Sequence, residues 1–259
     1  MIFINNMNKT IVYHPYLKKG VFSSIYKGKI DKKTAFFKIY NIKKTLLFIG
    51  KFSKNYLLTL KKISKFKITP NIIFIDNLMI IQEEAKLNNF NNKEFNKNSV
   101  QREVLKAILK IQTIDCAEMP SLYDQIINYK KILKNHKIVN KVTHNKKLLK
   151  KYLNKYNQNI LCHGDLHFGN IIKNNKKIQF IDFDYMVRSS DGFDLSMLFY
   201  QEKIKKYDLF NKYKEQINHY RPICLLLDFL WQEVLVKSNF IKKNKISNKI
   251  ILNSLKNIF

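Results

Sequence analysis

Residues 161–194 read L-C-H-G-D-L-H-F-G-N-I-I-K-N-N-K-K-I-Q-F-I-D-F-D-Y-M-V-R-S-S-D-G-F-D, and their reading decides the architecture of the chain. The whole sequence holds only 19 acidic residues, yet Asp165, Asp182, Asp184, Asp191 and Asp194 fall together here. Two of its six glycines, Gly164 and Gly169, flank the first of them. A chain this poor in acid and glycine that gathers both in one place is building a site there.

The layout has a physical reading. Residues 160–162 are a short apolar run, a buried strand end. Residues 163–170 are too glycine-interrupted for a helix and form a structured loop. Residues 171–173 and 177–181 make two short strands about a turn at Asn174-Asn175. A hairpin returns its two ends to one place, so Asp165 and Asn170 should lie close to Asp182. Two carboxylates and an amide oxygen are hard ligands. They suit Mg²⁺, which takes one or two protein carboxylates together with substrate phosphates.

H-G-D-x-x-x-x-N followed by I-D-F-D resembles the catalytic loop and metal motif of the aminoglycoside phosphotransferase and choline kinase superfamily. The fold of that superfamily is similar to that of protein kinases, whose loop is H-R-D-x-x-x-x-N followed by D-F-G. The resemblance implies ATP and Mg²⁺ as cofactors. It makes Asp165 the catalytic carboxylate that orients and deprotonates an acceptor hydroxyl, with Asn170 and Asp182 holding Mg²⁺.

Composition limits the alternatives. The net charge is +29, from 48 basic and 19 acidic residues. Lys, Asn and Ile abound throughout, as AT-rich codon usage produces. The basic residues are dispersed and few aromatics interleave with them, so nothing points specifically to nucleic acid. A positive field still draws in polyanionic ATP. Cys116, Cys162 and Cys224 have no paired spacing, which fits a reducing compartment and predicts a cytoplasmic protein. The first ten residues lack the charged region and apolar run of a signal peptide. The longest apolar run, 223–236, is interrupted by Asp228, Gln232 and Glu233, and is too short to span a bilayer.

Residues 10–40 read as strands. G-V-F-S-S-I-Y-K-G at 20–28 resembles the phosphate-covering loop of kinases, with Gly20 in the loop and Ser23 and Ser24 where glycine is common. Lys38 emerges amid Phe36, Phe37, Ile39 and Tyr40, and the resemblance makes it the lysine on the α- and β-phosphates. Residues 43–66 have helical spacing in Leu46, Ile49, Leu57, Leu60 and Ile63, with a possible break at Gly50. Kinase-like folds place a glutamate in this helix to pair with the strand lysine; this segment has no acid. Residues 71–75 and 78–82 pair about Asp76-Asn77. The resemblance makes 83–87 the hinge, with Glu83 and Ala85 offering backbone groups to adenine.

Residues 88–98 read as a surface loop, and Ser99 as the cap of the next helix. Val100, Val104, Ile108 and Ile111 mark one apolar face; Leu122, Ile126, Tyr129 and Leu133 mark another. Residues 146–156 form a third helix. His136 and His144 sit in Lys/Asn-rich loops and read as solvated. His163 and His167 have no third metal ligand; the resemblance makes His163 a brace for the loop. Asp191 and Asp194 read as caps of a helix at 193–200. Asp184 of I-D-F-D-Y, with Tyr200, Glu202, Asp228, Trp231 and Glu233 of the helical last third, are candidates for an acceptor pocket. Aromatic faces beside acids suit a cationic alcohol.

The expected fold is α+β and bilobal, protein-kinase-like, with an N-terminal antiparallel sheet lobe (1–82) and a mainly helical C-terminal lobe (83–259). The expected function is phosphorylation of a small-molecule alcohol by ATP and Mg²⁺. I-D-F-D-Y looks closest to choline, ethanolamine and thiamine kinases, ahead of aminoglycoside or sugar kinases. A nucleotide-binding scaffold without activity is the non-enzyme alternative, resting on the missing helix glutamate.

Overall fold

The computed structural model describes residues 11–21, 23–30, 32–41, 54–85, 90–134, 136–144, 146–157, 159–174, 177–206 and 208–238. The expected helix residues Leu46 and Ile49, the break at Gly50 and the turn residue Asn175 lie outside them. The chain divides into two compact units, residues 1–89 with 172–181, and residues 90–171 with 182–259.

In the first unit, alternation of apolar and polar residues produces a five-stranded antiparallel sheet in the order β1-β2-β3-β5-β4. The strands are β1 (Ile11–Lys19), β2 (Ser23–Ile30), β3 (Lys33–Tyr40), β4 (Ile72–Ile75) and β5 (Met79–Glu83). One face buries Ile30, Ala35, Phe37, Met79 and Ile81. The β4–β5 turn closes because the Asp76 carboxylate accepts from the N–H groups of Leu78 and Met79, at 2.7 and 2.8 Å. Helix α1 (Lys54–Lys65) buries Leu60 and Ile63. The hairpin of β7 (Ile171–Asn174) and β8 (Lys177–Phe180) bonds into this unit: Phe180 N–H donates to the Ile68 carbonyl at 2.7 Å, and Gln179 Nε2 donates to that of Thr69 at 3.0 Å.

The second unit is helical. Helix α3 (Asn98–Gln112) buries Val100, Val104, Ile108 and Ile111, as their spacing requires. Ser99 is not its cap. The helix starts one residue earlier, after Lys97, and Lys97 makes no side-chain cap bond. Residues 88–98 are also not merely loop. A single turn, α2 (Asn92–Phe95), is capped by the Asn91 side chain, and Phe90 and Phe95 pack on Phe168 at 5.3 and 5.4 Å. Burial of aromatics outweighs the polar composition of that segment. Helix α4 (Leu122–Ile132) opens with a Ser121–Asp124 capping box.

Two short helices follow, α5 (Lys137–His144) and α6 (Lys146–Leu153). His144 is exposed at the end of α5. His136 is not solvated in the expected way: its Nε2 lies 3.0 Å from Glu233 Oε2 and its ring meets Phe229 edge-on. Strands β6 (Ile160–Cys162) and β9 (Val187–Ser189) pair antiparallel. Helices α7 (Phe193–Gln201) and α8 (Lys214–Lys237) complete the unit, tied by Ser196 Oγ donating to the Ile217 carbonyl at 2.9 Å. Cys116, Cys162 and Cys224 are buried and free.

His219 on α8 stacks on Tyr152 of α6 at 4.2 Å, and its Nε2 meets the Tyr152 carbonyl at 2.9 Å. Burial holds its pKa below the ordinary 6.5. Such a histidine stabilises the fold above pH 6.5. That contribution is lost as pH falls through the lowered folded value, because the unfolded chain takes up the proton first. Acidification from about pH 7.5 to 5.5 should therefore lower the Tm of wild type more than that of His219→Gln. Parallel Tm–pH curves would remove the assignment.

Candidate active site

The loop between β6 and β7 is held from beneath by one buried carboxylate. Asp194, at the start of α7 and fully buried, accepts from the backbone N–H of His163 at 2.8 Å and of Gly164 at 3.0 Å. Its oxygens are thus engaged by the loop rather than by a helix cap, which corrects the expected role. Burial raises its pKa to about 6, against the lowering effect of those two bonds. Asp191 is likewise engaged by a side chain, accepting from Gln216 Nε2 at 3.1 Å. His163 braces the loop as expected. It is fully buried against the Phe183 ring at 4.5 Å, and its Nδ1 accepts from the Asp165 N–H at 3.3 Å. Gly164 takes φ +83° because the Tyr185 carbonyl oxygen would sit 1.9 Å from any Cβ there.

Asp165 projects from this loop with a third of its side chain exposed. Asn170 Nδ2 donates to its carbonyl at 2.8 Å and reaches its Oδ2 at 3.4 Å. Burial, then the charges of Asp182 and Asp184, push the Asp165 carboxyl up to about 7. The charge of Asp228 acts in the same direction. A value near neutrality suits a general base. His167 caps the short 3₁₀ turn Phe168–Asn170 through its Nδ1, and its Nε2 stands 3.9 Å from Asp165 Oδ2.

Asp182 follows β8 in the left-handed conformation, φ 64° and ψ 55°, and is exposed. A non-glycine residue held there is uncommon and turns its side chain out of the strand line. Among the described residues, no three His, Cys, Asp or Glu side chains cluster to hold a metal alone. The set present fits a different ion. Asn170 donates through Nδ2, which leaves Oδ1 as its ligating atom, and Asp182 adds a carboxylate. Hard oxygens in this number fit Mg²⁺ completed by phosphates and water.

In the first unit, Lys38 lies on β3 opposite Ile25 of β2 and Ile80 of β5, with its Nζ 5.2 Å from the Tyr40 ring centroid. Strand alternation separates the two serines. Ser23 pairs with Tyr40 and shares the face of Lys38; Ser24 pairs with Ile39 on the opposite face. Gly20 N–H closes the preceding turn on the Ser23 carbonyl at 2.8 Å. Helix α1 carries no acid in its described length. Glu84 pairs with Lys27. Glu83 donates its N–H to the Asn71 carbonyl at 2.9 Å, and Ala85 is buried.

The acceptor candidates separate. Asp184 is buried, at 3% exposure, and its charge reaches Asp165. Tyr200 donates to Asp228 Oδ2 at 2.9 Å. Trp231 meets the Tyr185 ring edge-on at 5.5 Å. Glu202 accepts from the Phe168 N–H at 2.6 Å, and Glu233 lies buried against His136, so both are structural rather than pocket acids.

A two-lobed kinase architecture carrying this loop defines a small-molecule phosphotransferase. The choline/ethanolamine kinase family model matches residues 20–229, and the chain belongs to that family. Choline kinase LicA from Streptococcus pneumoniae is similar in structure at TM-score 0.71 and 14% identity, covering 90% of this chain and 89% of its own. An ethanolamine kinase from Plasmodium vivax superposes at 0.69 and 15%, covering 98% and 83%. Amicoumacin kinase hAmiN, in complex with AMP-PNP and Ca²⁺, superposes at 0.65 and 14%, covering 96% and 87%. No curated protein sequence matches the chain. Among the described residues no helix is long and apolar enough to cross a membrane.

Proposed function

We propose that the chain transfers the γ-phosphoryl group of ATP to the hydroxyl of choline or ethanolamine. The observation that carries this reading is the loop itself, braced by Asp194 and His163 so that Asp165 stands beside Asn170. Asp165 orients the acceptor hydroxyl and takes its proton as the new P–O bond forms. Asn170 Nδ2 fixes the loop carbonyl behind that carboxylate. Asp182 and Asn170 Oδ1 would hold Mg²⁺, which supplies charge neutralisation on the phosphate oxygens. Lys38 and Ser23, on one sheet face, are the groups of the first unit that this reading gives to the phosphates, and with the Glu83 N–H already given to Asn71 it leaves adenine to the Glu83 carbonyl and the Ala85 backbone. The charge of Asp184 and the Tyr185–Trp231 pair favour an acceptor bearing a cation.

Coupled turnover with choline, ethanolamine, thiamine and an aminoglycoside tests the acceptor. Turnover of none of them would favour the scaffold reading. The metal is tested separately. Nucleotide should raise the Tm more with Mg²⁺ than without, because ligands that bind only the native state stabilise it. Asp182→Asn should remove most of that Mg²⁺-dependent increment, and an unchanged increment would place the metal elsewhere.

A further inference from the structure

The buried 3₁₀ turn Phe168–Asn170 carries the amide that the proposed function gives to Mg²⁺. Two of its N–H groups are satisfied from within the loop. Gly169 N–H donates to His167 Nδ1 at 3.0 Å, and Asn170 N–H donates to the His167 carbonyl at 2.9 Å. The first N–H of a helical turn has no acceptor of its own. That of Phe168 donates to Glu202 Oε1 at 2.6 Å, a carboxylate 34 residues further along the chain. Of the three bonds, this one alone comes from another element.

Glu202 is itself fixed. It ends α7, where its N–H closes on the Leu198 carbonyl at 3.0 Å. Lys203 follows in the left-handed region at φ 54°, and Ile204 N–H then reaches the Phe199 carbonyl at 3.0 Å. The same end of the helix meets Phe168 by a second route. Phe199 packs edge-on against Phe210 at 5.5 Å, Phe210 stacks on Phe95 at 5.8 Å, and Phe95 packs on Phe168 at 5.4 Å. Phe168 is thus held by its ring through that row and by its backbone through a bond to a carboxylate. Such charge-assisted bonds are roughly twice as strong as neutral ones. What the bond controls lies two residues on. Asn170 Nδ2 spans the turn to the Asp165 carbonyl at 2.8 Å, so the set of the turn fixes how Asn170 Oδ1 stands to the Asp165 carboxylate.

We propose that Glu202 is a positioning residue of the catalytic loop: through the Phe168 N–H, its carboxylate holds the turn at which Asn170 presents Oδ1 to the metal. The inference rests on the Mg²⁺ reading of Asn170 and adds to it a residue that touches neither metal nor substrate.

The test is a Mg²⁺ titration at fixed AMP-PNP, read from the rise in Tm, on wild type, Glu202→Ala, Glu202→Asp and Glu202→Gln. Alanine removes the acceptor, aspartate draws it back by one methylene, and glutamine keeps an acceptor oxygen at the same reach. The half-saturating Mg²⁺ concentration should rise about 10- to 100-fold in the alanine and aspartate variants, the span for losing an outer partner of a metal ligand. Glutamine should restore most of the affinity, because a neutral acceptor keeps the geometry of the bond. AMP-PNP binding without Mg²⁺ should be the same in all four proteins. A role in stability alone gives a different pattern: lower Tm of the free alanine and aspartate variants with an unmoved Mg²⁺ half-saturation. That result overturns the inference and leaves the Mg²⁺ reading standing. If neither variant folds, the bond holds the fold rather than the metal ligand, and the inference falls as well. A wild-type protein whose Tm with AMP-PNP ignores Mg²⁺ overturns both the metal reading and the inference. Failure to phosphorylate choline or ethanolamine touches neither, since the titration needs no acceptor.

Discussion

Asp165→Asn lowers phosphoryl transfer to the true acceptor by at least about 10²-fold, the lower end of what a positioned general base contributes. The amide keeps the size of the carboxylate and removes both its charge and its basicity. Part of the loss comes from orientation, since much of phosphoryl transfer is positioning and charge stabilisation. The fold should survive, because His163, Asp194 and Asn170 hold the loop through its backbone rather than through the Asp165 carboxylate. Removing one of the charges that crowd this site also relieves repulsion from Asp182 and Asp184. The melting temperature should thus stay level or rise while turnover collapses. Mg²⁺-nucleotide binding should persist, since Asn170 and Asp182 remain. A folded Asp165→Asn protein with wild-type turnover would assign the base to another residue.

Gly164→Ala should cost the most among the described glycines whose surroundings leave no room for a methyl. Its Cβ would meet the Tyr185 carbonyl oxygen at 1.9 Å and the carbonyl carbon at 2.7 Å. That neighbour is backbone and cannot rotate away. The positive φ adds its own strain for an L-residue. Together these cost about 2–5 kcal/mol. If the loop shifts to relieve the clash, the Asp194 bonds to His163 and Gly164 are lost and activity falls with them. Gly169→Ala is the control. Its Cβ would meet the His167 ring at 2.7 Å, but its φ is not positive and a side chain can move. Thermal melts of the two variants should separate clearly. Equal melts and equal activities would mean that the Tyr185 approach is not a constraint.

Much of the catalytic loop was legible because its logic is local. Asp165 and Asn170 lie five residues apart on one loop and bond there, and Asp182 follows the second strand of the hairpin that the loop opens, near enough for its charge to act on Asp165. The alternation around Lys38 likewise predicted its strand. What escaped the sequence depends on partners distant in the chain. Asp194 sits where a helix cap would sit, and nothing local distinguishes a cap from a brace for a loop thirty residues earlier. Glu202 and Glu233 looked like pocket acids because acids on a helix are ordinarily solvated. Their actual partners, the Phe168 N–H and His136, arrive from other elements. Residues 88–98 looked like loop because asparagine dominated the composition, while the two phenylalanines that order the segment find their contact in Phe168. The strand register at Ser23 and Ser24 is a further case. A pair of adjacent serines reads as one phosphate-binding unit until the ladder puts them on opposite faces.

Helix α7 ties two distant bonds to one rigid element. Its first turn carries Asp194, which fixes the catalytic loop, and its last turn carries Tyr200, which donates to Asp228. Six helical steps separate them, or about 9 Å along the axis. The helix is therefore a spacer: it sets how far the Tyr200–Asp228 pair stands from the backbone of the loop that Asp194 holds. Lengthening α7 by a turn would keep the Asp194 bonds to the loop and carry Tyr200 away from Asp228, so the far end of the helix can drift in register while His163 and Gly164 stay braced.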